Sequence, residues 1–258
     1  MEIKNLFDLS GKTALITGAS SGMGKAIAEA MGEHGTTVII SGNDEEGCKM
    51  VTENFKNKNI PAHYILCDIS KKEDIENLYY KAILISGRID ILVSCAGIAI
   101  PGSLPEINAE DYEKIFAVNL QGAIFLSKLI IPQMAERNDG AVIFLASIAG
   151  VRGNKSLGLY GITKAGLIQL AKNLAVEYGP KNIRVNCISP GLIETAFSKG
   201  VMENETVMKR RLSLTPLRRV GQPEEVAGVA VMLASKAGGF ITGQNIIVDG
   251  GTVISDGN

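Results

Sequence analysis

The sequence predicts a doubly wound α/β fold: one domain over residues 1–258, with a seven-stranded parallel sheet and helices on both of its faces. Three observations carry this. Short apolar, β-branched runs alternate with amphipathic stretches along the whole chain, the pattern of repeated strand–helix units. Several of the short runs are apolar on consecutive residues, as strands buried on both faces must be. A glycine-rich turn joins the first run to the first amphipathic stretch.

The strands are expected at 12–18 (KTALITG), 36–42 (TTVIISG), 62–68 (AHYILCD), 89–95 (IDILVSC), 141–147 (AVIFLAS), 183–189 (IRVNCIS) and 244–250 (QNIIVDG). The helices are expected near 23–34, 44–58, 71–86, 108–136, 157–179 and 223–235. Ser70 is the stronger cap candidate for the third of these, ahead of Asp68. No linker, repeat or low-complexity segment interrupts the series. The long piece at 191–222 reads as irregular and follows the sixth strand, at the end of the sheet where α/β proteins bind ligands. It is expected to be a substrate-binding loop or lid.

The bulk numbers exclude several classes. Twenty-six basic residues against 27 acidic leave a net charge of −1, so no basic field exists to draw in a nucleic acid. No apolar run approaches the ~18 residues of a membrane span, and the start MEIKNLFDLSGK lacks a signal-peptide layout. A cytoplasmic protein is expected. Cys48, Cys67, Cys95 and Cys187 are scattered without a CxxC, as reduced thiols or small core residues would be. With His34 and His63 as the only histidines, no metal site or histidine-based triad is expected.

Two motifs carry chemistry. TGASSGMG, Thr17–Gly24, places Gly18, Gly22 and Gly24 in the first strand-to-helix turn. There backbone amides can approach a pyrophosphate, and the helix N-terminus favours its charge. Its G-x3-G-x-G spacing differs from G-x-G-x-x-G. Asp68, at the end of the third strand, can accept a hydrogen bond from an adenine amino group; Ala96 and Gly97 form a close-approach turn after the fourth. In LYGITKAG, Tyr160 and Lys164 stand one helical turn apart on one face. They suit either a wet-tipped amphipathic edge or a phenol held beside an ammonium.

Taken in order, TGASSGMG, SCAG after the fourth strand, Asn119 in FAVNLQG, Ser147, YGITK, SPG and ITGQNIIVDGG resemble the short-chain dehydrogenase/reductase family over essentially the whole chain. The resemblance implies a Rossmann-like fold and an NAD(P)-dependent oxidoreductase acting on the CH–OH group of donors. The reaction would be reversible hydride transfer between a nicotinamide and a secondary alcohol or ketone. Tyr160 would be the general acid/base, its pKa lowered by Lys164 together with the positive nicotinamide of an oxidised cofactor, and Lys164 would also hold the nicotinamide ribose. Ser147 would bind the substrate oxygen, and Asn119 would hold a relay water. For cofactor binding the resemblance implies Gly18, Ser20, Ser21, Gly22, Met23, Gly24, Asn43, Asp68, Ile69, Ala96, Gly97, Tyr160, Lys164, Pro190, Gly191, Ile193 and Thr195. For substrate it implies Ser147, Ala149 and Tyr160. One departure is Cys95, where the family usually has asparagine.

The end of the second strand, SGNDEEG, carries neither the acidic residue that reads NAD nor the basic one that reads NADP. Gly42 and Asn43 occupy those places, Ser21 is also neutral, and Asp44–Glu46 either add negative charge that disfavours a phosphate or stabilise a helix N-terminus. NAD(H) is weakly preferred on that basis. The substrate pocket is expected to involve Ser147, Ile148, Ala149, the 152–159 segment and the 191–215 loop, mostly small or apolar apart from Arg152, Asn154 and Lys155, which suggests a bulky neutral or cyclic carbonyl rather than a small acid. Carbonyl reductases, 3-oxoacyl reductases and sugar or polyol dehydrogenases all share such segments. A homotetramer is implied. A catalytically silent dinucleotide-binding regulator and an epimerase or dehydratase on the same fold are the alternatives.

Overall fold

The computed structural model describes residues 3–255. Seven parallel strands form one sheet: β1 (Thr13–Thr17), β2 (Thr37–Gly42), β3 (Ala62–Leu66), β4 (Ile91–Ser94), β5 (Gly140–Leu145), β6 (Ile183–Pro190) and β7 (Asn245–Val248). All seven expected strands are present. Their order is β3-β2-β1-β4-β5-β6-β7. The order reverses between β1 and β4, and the crevice beyond the carboxyl ends of those two strands is where such sheets bind ligands.

Side chains alternate between the faces, so each strand feeds two cores. Ala14 and Ile16 of β1 join a cluster with Ile27, Val51 and Val231. Leu15, between them, joins Leu78, Leu126 and Leu167 on the other face. The first core is covered by α1 (Gly22–Glu33), α2 (Glu45–Asn57) and α9 (Pro223–Ala234). The second is covered by α3 (Lys72–Ser86), α5 (Gly122–Arg137) and α6 (Gly158–Tyr178).

Four local expectations change. Ser70 does not cap α3: Lys71 holds that position, and the Ser70 hydroxyl instead donates to Asp68 Oδ1 at 2.6 Å. The stretch expected as one helix at 108–136 is α4 (Ala109–Phe116), a π-helical turn at Ala117–Gln121, and α5. By length and composition alone, Ala109–Arg137 is long and apolar enough to cross a membrane, contrary to the sequence expectation. Its apolarity has another cause here: Leu126, Ile130, Ile131 and Met134 are buried against the sheet and α3. Finally, 191–222 is not wholly irregular. It contains α7 (Lys199–Met202) and α8 (Glu205–Ser213), the latter capped by Asn204, whose side chain accepts from the Val207 amide at 3.0 Å.

Candidate active site

Two cavities meet above the carboxyl ends of the strands. The larger, about 390 Å³, runs from the end of β2 across the β1 turn to Lys164. The smaller, about 150 Å³, lies between the turn after β5 and the 191–211 segment. Tyr160 lines both.

The first turn shapes the larger cleft. Gly18 has φ +64° and Gly22 φ +54°, a left-handed conformation that side chains resist. A Cβ on Gly24 would stand 2.2 Å from the Gly18 carbonyl oxygen, so this turn closes only with glycine there. At the start of α1, Ser21 caps without a side-chain hydrogen bond and no acid lies in the first turn. The amides at this helix end are therefore available to an anion, with the helix dipole behind them. The residues present fit the pyrophosphate of a dinucleotide.

Of the expected cofactor residues, Gly18, Ser20, Ser21, Gly22, Met23 and Gly24 line this cleft. So do Asn43, Asp68, Ile69, Ala96, Gly97, Tyr160, Lys164 and Thr195. Pro190, Gly191 and Ile193 do not; they line the smaller cavity, while Thr195, further along the same segment, lines both. Asp44–Glu46 are also absent from the cleft wall. Asp44 caps α2, accepting from the Gly47 amide at 3.1 Å, and Glu45 and Glu46 occupy that helix's first turn. The acidic run thus serves its own helix.

Lys164 is buried, and its ammonium donates to the Leu145 carbonyl at 2.7 Å, 5.5 Å from the centre of the Tyr160 ring. Burial lowers its pKa to about 8, with the neighbouring thiols of Cys95 and Cys187 working the other way. The Tyr160 pKa is raised above the ordinary phenol value, because burial outweighs a hydrogen bond with Ser147 that lowers it. The lysine alone does not make a phenolate.

Ser147 sits at the end of the β5 run, where its Oγ accepts from the Ala149 amide at 3.1 Å. The short turn Ile148–Gly150 holds it against α6: a Cβ on Gly150 would meet the Lys164–Ala165 backbone at 2.7 Å. Ser147 and Ala149 line the smaller cavity, as expected. Asn119 lines neither cavity and is buried in the π-helical turn. Its Oδ1 accepts from the Ile98 amide at 2.8 Å, and its Nδ2 donates to the Ile98 carbonyl and to Thr163 Oγ1. Such turns recur at functional sites. Here it fixes the loop after β4 to α6 from beneath the tyrosine.

Cys95 leaves the β4 turn without an amide side chain, and Thr17 holds that turn instead. The Thr17 hydroxyl accepts from the Cys95 and Ala96 amides at 3.2 and 3.3 Å. Burial pushes the Cys95 thiol up to about 11. Thr17, Thr163 and the Leu145 carbonyl escaped sequence reasoning. A buried threonine closing a strand just before a glycine turn is the one signal that could have found Thr17. Phe197 and Arg211 fall in the 191–215 loop expected at the substrate pocket, but the sequence singles out neither. Both come from the 191–222 segment and line the smaller cavity, and the Phe197 ring lies 6.3 Å from that of Tyr160.

Comparisons with known proteins agree with this geometry. A family model described as Enoyl-(Acyl carrier protein) reductase matches residues 18–253. Dehydrogenase/reductase SDR family member 4 of Bos taurus is 35% identical over 246 residues, covering 95% of this chain and 88% of that protein. A tropinone reductase homolog of Arabidopsis thaliana is 34% identical, covering 99% and 97%. Among solved structures, a gluconate 5-dehydrogenase from Burkholderia cenocepacia J2315 in complex with NADP and tartrate has a TM-score of 0.95 at 27% identity, covering 98% of this chain and 100% of that one.

Proposed function

Because the chain belongs to the short-chain dehydrogenase/reductase family of oxidoreductases, we propose that it interconverts a secondary alcohol and a ketone, with Tyr160 as general acid/base. One observation carries this reading: Tyr160 stands where the dinucleotide-shaped cleft meets the smaller cavity, with Ser147 on one side and Lys164 on the other. A nicotinamide dinucleotide supplies hydride transfer when bound in the cleft. Gly18–Gly24 and the α1 amides would hold its pyrophosphate, and Asp68 its adenine. Ser147 Oγ orients the substrate oxygen toward the Tyr160 hydroxyl. Tyr160 gives that oxygen a proton in reduction and takes it back in oxidation. Lys164 fixes the ribose and, as a cation, favours the phenolate. The raised phenol pKa of the free chain means that Lys164 needs a second positive charge to complete the activation, and an oxidised nicotinamide brings one.

NAD(H) is the preferred cofactor in this reading. Its support is the neutral wall of Ser20, Ser41, Gly42 and Asn43, which offers no cation to a 2′-phosphate. We further propose a cytoplasmic homotetramer. Four unpaired cysteines suit a reducing compartment. Exposed Ile124 and Phe125 on α5 and Ile162 and Val176 on α6 suit assembly. The test is incubation with NAD(H) or NADP(H) and a panel of alcohols and carbonyls. Net cofactor turnover is expected. Cofactor binding without turnover would make the chain a regulator, and product formation without net turnover would make it an epimerase or dehydratase.

A further inference from the structure

The smaller cavity carries a charge that its neighbours do not neutralise. Its wall includes two guanidinium groups, Arg152 and Arg211, together with Asn154, and no aspartate or glutamate. They come from different places. Arg152 follows the turn that holds Ser147, and Arg211 lies on α8, yet both face the space that Tyr160 and Ser147 close on the other side. Arg152 donates once, to the Thr252 carbonyl at 3.2 Å. Asn154 Oδ1 accepts from the Ser156 amide at 2.9 Å, which leaves its two N–H donors. Among the described residues, the Arg211 guanidinium has neither an acid partner nor a hydrogen-bond acceptor.

Arg184 shows how this fold treats a half-buried guanidinium when structure alone is at stake. Its two terminal nitrogens donate to the carbonyls of Leu233, Ala234, Ser235 and Gly238. Arg88, Arg137 and Arg219 each lie against a carboxylate. Arg211 has no such arrangement. Burial, Arg152 and Arg210 all depress its pKa below the ordinary guanidinium value. Removing a cation from water without a partner is costly, and two like charges beside one cavity add to the cost. The arrangement is relieved if an anion enters.

We propose that the smaller cavity takes a compact alcohol or ketone bearing an anionic oxygen group, a carboxylate or a phosphate, which Arg211 and Arg152 bind while the reacting oxygen faces Ser147 and Tyr160. The forked guanidinium matches both groups. A volume of about 150 Å³ is of the order that holds a six-carbon ring, so the substrate is small. The sequence alone suggests a bulky neutral carbonyl, because the spacing of Arg152 and Arg211 along the chain hides their common wall. The anion seat rests on the dehydrogenase reading for its neighbour Tyr160, but its own binding can be measured without turnover.

The experiment uses matched pairs with NAD: 3-hydroxybutyrate against its methyl ester, gluconate against sorbitol, and glycerate and glycerol 3-phosphate against glycerol. In at least one set the charged member is expected to have a kcat/KM at least tenfold above its neutral partner. Arg211→Met lowers kcat/KM for that charged member about ten- to hundred-fold, mainly through KM, and lowers the neutral one far less. Arg211→Lys recovers part of the loss. Arg210→Met, outside the cavity, changes neither. The glycerate and glycerol 3-phosphate arms separate carboxylate from phosphate. In parallel, calorimetry with NAD present measures binding of tartrate and of inorganic phosphate to the wild type, to Tyr160→Phe and to Arg152→Met/Arg211→Met. At least one anion is expected to bind the first two and not the third. Anion binding without hydride transfer from any alcohol to either NAD or NADP would defeat the dehydrogenase reading and leave the seat standing. Equal use of charged and neutral partners, loss of both alike in Arg211→Met, or anion binding retained in the double variant would overturn the seat.

Discussion

The two cavities that share Tyr160 are built by opposite means. The cofactor cleft is a backbone construction. Its first turn depends on Gly18 and Gly24, and its far wall is the turn at Ala96 and Gly97, pinned by the Thr17 hydroxyl. The smaller cavity is a side-chain construction. Phe197, Val201 and Arg211 reach it from short helices of one segment, and Arg152 and Asn154 from another. Backbone shape suits the part of the reaction that a whole family holds in common. Side chains on a separate segment can change without disturbing that shape. The difference teaches where chemistry and specificity are divided, and it can be tested at each side of the boundary.

The largest effect is expected at the boundary itself. Tyr160→Phe keeps the ring and its packing but removes the hydroxyl, facing both cavities, that is proposed to pass a proton to the substrate oxygen. Turnover is expected to fall at least ~100-fold with cofactor affinity little changed. The measurement is kcat beside a cofactor titration. Near-normal turnover in the folded variant would remove Tyr160 from its role.

The same division explains what could be read in the sequence. Strand positions were legible because consecutive apolar residues such as Ala14–Ile16 must feed two cores at once. Tyr160 and Lys164 were legible because their relation is local, one turn of one helix. Ser147 and Asn119 entered only through the family resemblance, since their partners lie far along the chain: Ile98 and Thr163 for Asn119. Arg211 was not legible. Nothing near it in "KRRLS" distinguishes it from Arg210, and only folding places one in the cavity wall and the other in solvent. The acidic run Asp44–Glu46 had two readings in the sequence, charge beside the cleft or support for a helix N-terminus. Position along the chain put it beside the cleft, while helix capping turned it to α2.

On the cleft side, Asn43→Arg sharpens the comparison. The wild type is expected to favour NAD(H) modestly. An arginine at the end of β2 can offer a bidentate seat to a 2′-phosphate, raising relative use of NADP(H) about ten- to hundred-fold. Measuring kcat/KM with both cofactors decides it. A wild type that already favours NADP(H) tenfold would show that Ser41 or Asn43 reads the phosphate unaided.

Two glycine substitutions ask whether the cleft is built from backbone. Gly24→Ala forces a Cβ against a carbonyl oxygen 2.2 Å away and should cost about 1–3 kcal/mol of stability together with cofactor affinity. Gly158, the first residue of α6, has open space within 4 Å of where an alanine methyl would stand, so Gly158→Ala should be neutral or stabilise by up to about 1 kcal/mol. Denaturant midpoints compare them, and equal effects would mean that the Gly24 turn yields easily.

The smallest net effect is expected from Lys164→Met in the cofactor-free chain, where function and stability oppose each other. Burial depresses the lysine from 10.5 to about 8, so the folded chain releases this proton before the unfolded chain does. Between pH 8 and 10.5 the unfolded state binds more protons, and wild-type stability gains with rising pH. Below pH 8 the buried charge is an unfavourable term of up to about 3 kcal/mol. Methionine removes that term but leaves the Leu145 carbonyl without its donor, a cost of about 1–3 kcal/mol. At pH 7 the two nearly cancel, within about 1 kcal/mol. At pH 10 most of the charge term has gone, so the variant should be the less stable protein. Chemical denaturation of both chains at the two pH values reads the difference. A gap between them that does not change with pH would mean that the lysine stays charged in the fold well above pH 8, held by the Leu145 carbonyl and its neighbours.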